Sequence, residues 1–276
     1  MRSDSGFTLA EILVAMAVFG ILSGAVLSLF TKNVRTHTAQ TLVANAQQDL
    51  RAAMMIMKMD IRMAGYDPGK ENIAGFINAG AEEFRFTADI NGNGKIAALM
   101  ENGGLETDPN EDVSYLPYET DGIKKVARGL PNPNGTINKS PLIENIEANG
   151  LRFAYAVNDG YGRYLRNTNG IVWAVPGANG KWFDLDVNQD GFIDAADDTA
   201  DGTTDGIIAG RDTGVTVDAE AIRGVQIWML VRTAAQDPDL PSLNQRFLVG
   251  NRVLEYDDRF RRRLLTSTVK CRNSAL

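Results

Sequence analysis

The chain has 276 residues, 44% of them hydrophobic, with a formal net charge of −7. That composition fits a folded protein of one or two domains and excludes binding to nucleic acid through a basic surplus. The cluster Arg259, Arg261, Arg262, Arg263 is too short for a binding arm, and the single cysteine, Cys271, excludes an intrachain disulfide.

The first predicted element is an apolar helix. Residues 1–6 are short and polar, and the 24 residues from Phe7 to Phe30 carry one charge, Glu11. About 20 apolar residues cross a bilayer as a helix. A secretory signal is cut after its apolar segment; here the small residue that suits cleavage, Gly6, lies before it. A cut there would leave the helix on the mature chain. A carboxylate alone in hydrocarbon costs about 2.5–3.5 kcal/mol or more, so Glu11 needs a partner.

Beyond Thr31 the chain turns polar but keeps a helical repeat. Leu42, Ala46, Leu50, Ala53, Met57, Ile61 and Ala64 follow at spacings of 4, 4, 3, 4, 4 and 3, one apolar stripe on one face. Gly65 and Pro68 supply the stop. The pattern predicts one helix from Phe7 to about Ala64, on the order of 85 Å long, with its second half packed on a sheet.

From Tyr66 onward the chain is rich in Gly, Asn and Asp. Strands are predicted at Glu83–Thr87, Val113–Leu116, Ile123–Arg128, Leu151–Val157, Val225–Thr233 and Leu265–Cys271, forming an antiparallel sheet. In the fifth, Val225, Ile227, Met229 and Val231 share a face. Residues 158–224 read as loops around an apolar patch at Ile171–Val175. The fold class is α+β.

Gly6-Phe7-Thr8-Leu9, then Glu11, then an apolar helix resembles the processing and assembly signature of type IV pilins and type II secretion pseudopilins. Asp49–Arg51 with Asp60–Tyr66, and Asp258–Arg262 with Lys270–Asn273, resemble PilW-type minor pilins; Ile143–Val157 is a weaker echo. These matches cover less than a third of the chain, and residues 69–140 and 158–224 match no family. The resemblance implies a pilin-like fold with a leader over 1–6, a helix over 7–65 (7–30 in the membrane) and a β-rich globular part over 66–276 with a loop insert near 177–214. It implies cleavage by a prepilin peptidase between Gly6 and Phe7, methylation of the new amino group, and pairing of that group with Glu11 of the same or an adjacent subunit. Implied partners are other minor and major pilins, the inner-membrane assembly platform and, before assembly, membrane lipid. The chain would sit in the inner membrane as a single-pass protein, then in the pilus, at the cell surface or in the periplasm. It implies a minor pilin that primes assembly or sits at a tip. A minor pseudopilin, or a tip adhesin that binds through residues 177–214, stays open.

Two acidic loops stand apart from that resemblance. Asp186, Asn188 and Asp190 fall at positions 1, 3 and 5 of a twelve-residue calcium frame, Gly191 at 6, Phe192 (by its carbonyl) at 7, Asp194 at 9 and Asp197 at 12. The final Asp, where an EF-hand has Glu, resembles the dockerin calcium loop. Ca²⁺ held there would be structural. Asp89, Asn91, Asn93 and Lys95 (by its carbonyl) are a partial second copy, but position 12 is Met100 and Glu101 comes one residue late. A plain turn remains the alternative for it. Asp198, Asp201 and Asp205 could lend ligands to the first loop but read rather as acids that keep a long Gly-rich loop solvated.

No enzyme is expected. The lone His37 sits on the helix surface, Cys271 has no histidine companion, and no phosphate loop is present. Glu82–Glu83 and Asp257–Asp258 are adjacent carboxylates, and nothing in their spacing places either pair in a cleft. Trp173, Trp182 and Trp228 are expected in the core. Gly6→Val should abolish release of the leader, with no mature chain beginning at Phe7 in N-terminal mass spectrometry.

Overall fold

The computed structural model describes residues 7–96, 98–99, 105–106, 110–131, 136–159, 161, 163–177 and 179–271. Two compact units divide the chain, Met1–Asn45 and Ala46–Leu276. The boundary falls inside helix α1, Leu9–Met63.

In the first unit α1 exposes every residue through Phe30. It is long and apolar enough to cross a membrane. In the second unit Leu50, Ala53, Met57 and Ile61 are buried, as the stripe predicts, and Met54 is buried beside them. Gly65 ends the helix at φ 73°, a left-handed conformation that glycine adopts without strain. Its N–H reaches the Thr87 carbonyl at 2.9 Å, tying the helix end to the sheet.

The strands are β1 Phe76–Ala79, β2 Phe84–Thr87, β3 Ala98–Leu99, β4 Leu105–Glu106, β5 Asp112–Thr120, β6 Ile123–Pro131, β7 Ile137–Glu144, β8 Ile146–Val157, β9 Ala174–Pro176 and β10 Lys181–Asp184. A short helix, α2 Ala195–Ala200, precedes β11 Arg211–Thr216, β12 Ile222–Arg232, β13 Leu243–Val249, β14 Arg252–Asp258 and β15 Arg262–Lys270. All six predicted strands form. The predicted single sheet is instead a five-stranded sheet, β1-β2-β5-β6-β7, and a six-stranded sheet, β11-β10-β9-β8-β12-β15, with β13-β14 and β3-β4 as separate ladders. Every pairing between these strands is antiparallel.

Local chemistry explains much of this. β5 and β6 turn through Asp121-Gly122, at φ 55° and 73°, the two-residue turn that matches strand twist. β8 and β12 are buried nearly throughout because the larger sheet is covered on both faces. Val225, Ile227, Met229 and Val231 enter one core with Phe84, Phe153, Tyr155 and the helix stripe. Trp228 and Leu230 face a second core with Leu185, Ile208 and Val249 of the loops and the β13–β14 hairpin.

The helix also makes a polar contact inside its apolar face. Asp60 Oδ2 accepts a hydrogen bond from the Tyr115 hydroxyl on β5 and an ion-paired one from Arg128 Nε on β6 at 2.6 Å. Burial, then the Asp60 charge, raises the Tyr115 phenol well above its ordinary range, so it stays a donor. Asp60→Ala leaves both donors without this acceptor and should destabilise the globular unit by about 1.5–3 kcal/mol, whereas Tyr115→Phe should cost about 1 kcal/mol. Denaturant unfolding of the mature chain in detergent measures both.

Candidate functional site

The start of α1 is a hydrogen-bonded cap. Thr8 Oγ1 accepts from the Glu11 N–H at 3.3 Å, and Glu11 Oε2 accepts from the Thr8 N–H at 2.8 Å and the Thr8 hydroxyl at 3.0 Å. This is a capping box, Thr at the cap and Glu at the third helical position. It gives Glu11 a partner within its own chain that spacing in Thr8-Leu9-Ala10-Glu11 could have revealed. Only Oε2 takes part, and Phe7 is 86% exposed beside it. Gly6 lies outside the described residues.

The Asp186 loop lies between β10 and α2. Asp186 Oδ1 and Oδ2 accept from the N–H groups of Asp190 at 3.0 Å and Gly191 at 3.1 Å. Asn188 Oδ1 accepts from Asp190 N–H at 2.9 Å, and Asp190 Oδ1 from Phe192 N–H at 2.9 Å. Asp197 closes the loop from below: its Oδ1 accepts from Val187 N–H at 2.7 Å and Asn188 N–H at 3.2 Å, its Oδ2 from Asp194 N–H at 2.9 Å. Gln189 and Gly191 take positive φ, 61° and 94°. The fold therefore gathers Asp186, Asn188, Asp190 and Asp197 around one turn. Asp194 caps α2 through the Ala196 N–H instead, and the Phe192 side chain is exposed.

The loop is anchored by residues the sequence reading did not single out. Asn167 Nδ2 donates to Asp186 Oδ2 at 3.1 Å and to Asp184 Oδ2 at 3.4 Å. Arg211 pairs with the buried Asp184 at 3.3 Å. Burial raises the Asp184 carboxyl pKa, against hydrogen bonds from Asp186, Arg211 and Asn167. Burial also raises that of Asp197, helped by the Asp186 charge and opposed by three backbone N–H groups. A cavity of 280 Å³ beside the loop is lined by Asn167, Ile171, Trp173, Asp186 and Ile193. Trp182 and Trp228 are core residues.

The Asp89 loop follows β2. Asp89 is fully buried; its Oδ1 accepts from Gly92 N–H at 2.8 Å and Asn93 N–H at 3.1 Å, its Oδ2 from Gly94 N–H at 3.1 Å. Asn91 Oδ1 accepts from Asn93 N–H at 2.9 Å, and Asn93 Oδ1 from Lys95 N–H at 2.8 Å. Met100 and Glu101 lie outside the described residues.

The reading of Asp198, Asp201 and Asp205 as solvated is corrected for Asp198. Asp198 is 4% exposed and accepts from the Gly206 and Ile207 N–H groups, each at 3.1 Å. Asp201 Oδ2 accepts from Ala209 N–H at 2.6 Å. Unpaired backbone donors in this long connection take up the acids. The adjacent carboxylate pairs are likewise engaged: Glu82 with Arg152 at 2.8 Å, Asp258 with Arg262 at 2.6 Å. His37 is exposed on α1. Cys271 is buried, and burial pushes its thiol pKa up to about 12. Among the described residues no three His, Cys, Asp or Glu side chains converge as a metal cluster; the donors of both loops are mixed carboxylate and amide oxygens.

Comparison with known proteins gives a family match at the start of the chain and likeness to solved structures. The family described as prokaryotic N-terminal methylation motif matches residues 1–27. Curated proteins give no match. A solved type IV-like pilin from Thermus thermophilus superimposes with a TM-score of 0.40 at 11% identity, over 83% of this chain and 98% of that one. The chain thus carries the prokaryotic N-terminal methylation motif at its start, ahead of a long helix with an apolar first half and of antiparallel sheets.

Proposed function

We infer that the chain is a minor pilin of a type IV pilus, acting in the complex that primes assembly or at the tip, and that structural Ca²⁺ holds the Asp186 loop. The observation that carries the assembly reading is Glu11: it is the one charge in a fully exposed apolar stretch through Phe30. Its bonds to Thr8 use one carboxylate oxygen. A second subunit whose positive N-terminal amine docks beside Glu11 relieves the cost of that charge in lipid, so docking and register are coupled electrostatically. In this reading the prepilin peptidase cuts after Gly6, the new amine is methylated, and the processed chain waits in the inner membrane for other pilins and the assembly platform.

What supports Ca²⁺ is the gathering of Asp186, Asn188, Asp190 and Asp197 about one turn. Repulsion between the Asp186 and Asp197 carboxylates is relieved by a divalent cation, and mixed oxygen donors suit Ca²⁺. Contraction of the turn would bring the Phe192 carbonyl in as a further donor.

Two measurements test these readings. Glu11→Ala should abolish incorporation into pili in the native host, while Thr8→Val, which removes the two hydroxyl bonds of the cap but keeps the acid, should leave incorporation largely intact; equal loss in the two variants would reduce Glu11 to a helix cap, and incorporation of Glu11→Ala at the normal level would overturn the assembly reading. Calorimetric titration of the mature chain with CaCl₂ should show a site of Kd about 10⁻⁴–10⁻³ M that disappears in Asp186→Ala.

A further inference from the structure

Glu111 carries a feature that neither the capping of turns nor the packing of the sheet explains. It is 2% exposed, and its Oε2 is buried with no hydrogen-bond partner. Its other oxygen, Oε1, accepts from the N–H groups of Ile90 at 2.8 Å and Asn91 at 3.0 Å, so the carboxylate is seated on the Asp89 loop. A buried carboxylate oxygen left without a donor or a cation is costly.

The seat is the one that Asp197 occupies in the Asp186 loop. There the twelfth-position carboxylate accepts from the N–H groups of positions 2 and 3, Val187 and Asn188; Glu111 accepts from positions 2 and 3 of its loop, Ile90 and Asn91. The rest of the wiring also corresponds. In both loops the first Asp accepts from positions 5 and 6, the third residue's amide oxygen accepts from position 5, and the fifth residue's oxygen accepts from position 7. Positions 4 and 6 take positive φ in both, Gly92 and Gly94 at 73° and 74°, Gln189 and Gly191 at 61° and 94°.

The sheet brings Glu111 there. β2 and β5 pair with Thr87 opposite Asp112, and one step further the Ala88 N–H donates to the Glu111 carbonyl at 2.8 Å. That register sets Glu111 beside the first residues of the loop. The Asp89 N–H is held by the Tyr66 carbonyl at 2.7 Å. The exposed Glu71 carboxylate flanks Gly94, where an added Cβ would stand 2.8 Å from its Oε2.

We propose that Glu111 supplies, from the strand next door, the final carboxylate of a second Ca²⁺ site whose other donors are Asp89, Asn91, Asn93 and the Lys95 carbonyl. Two carboxylates neutralise the cation, three neutral oxygens extend its shell, and Glu is the residue whose reach suits two-oxygen coordination at the closing position. The unpartnered Oε2 is the oxygen that turns to the metal. The site extends the calcium reading of the Asp186 loop to a second loop, but it does not depend on that loop binding.

Calorimetric titration of the mature chain in detergent with CaCl₂ decides the matter. Two Ca²⁺ per chain are expected in the wild type, one in Glu111→Gln, one in Asp186→Ala and none in the double variant. Asn91→Ala, an exposed change, should also remove one site, which covers the case of Glu111→Gln failing to fold by circular dichroism. A single wild-type site that survives Glu111→Gln and Asn91→Ala but vanishes in Asp186→Ala overturns the second site and leaves the first standing. A single site lost in Glu111→Gln and kept in Asp186→Ala upholds Glu111 and removes the first. No binding at millimolar Ca²⁺ overturns both.

Discussion

The constraint on which the second unit depends is the apolar face of α1 from Leu50 to Ala64. A helix that exposed Leu50, Met54, Met57 and Ile61 to water would forgo about 1.5–3 kcal/mol for each large side chain. Those residues share one core with Phe84 and Phe86 of β2, Val113 and Tyr115 of β5, Phe153 and Tyr155 of β8, and Ile227 and Met229 of β12. Members of both large sheets therefore meet on one helix face. Burial is non-directional and would tolerate some rotation or sliding of the helix. The contact of Asp60 with Tyr115 and Arg128 does not, because a hydrogen bond weakens steeply with angle. Apolar area supplies the energy of this interface, and one carboxylate supplies its register.

The acidic surplus, 35 Asp and Glu against 28 Lys and Arg, is used in a related way. A chain with long connections leaves many backbone N–H groups outside any ladder, and each needs an acceptor. Asp89, Asp186, Asp197 and Asp198 are buried and accept two or more loop N–H groups apiece. With no disulfide available, carboxylates act as the knots of these loops.

Legibility in the sequence follows the range of the interaction. The helix and its stop at Gly65 were readable because a 3.6-residue period and a left-handed glycine are local signals. The six long-patterned strands were readable for the same reason. β1, β10 and the β13–β14 hairpin were not, because their residues alternate weakly and owe their pairing to partners elsewhere. The split into two sheets was hidden because β8 and β12 are apolar on both faces, which a one-sheet reading does not require. The turn at Asp186 was visible because its Asp, Asn and Gly positions are contiguous. Its anchors Asn167 and Arg211 were not, since only the fold brings them to Asp184 and Asp186.

The same distinction separates Thr8 from Glu111. Thr8 sits within one turn of Glu11, so the capping box is written in four consecutive residues. Glu111 reaches its loop only through the β2–β5 register, and a shift of that ladder by one residue would turn its side chain to the other face of the sheet. A frame search along the chain stops at Met100 and finds no closing acid. In the proposed site the ladder supplies one, because antiparallel pairing of β2 with β5 makes the residue before β5 a neighbour of the residues after β2. A motif that is broken in sequence can thus be whole in space, provided that a rigid element fixes the missing member. An antiparallel ladder beside a helix-anchored core provides that rigidity.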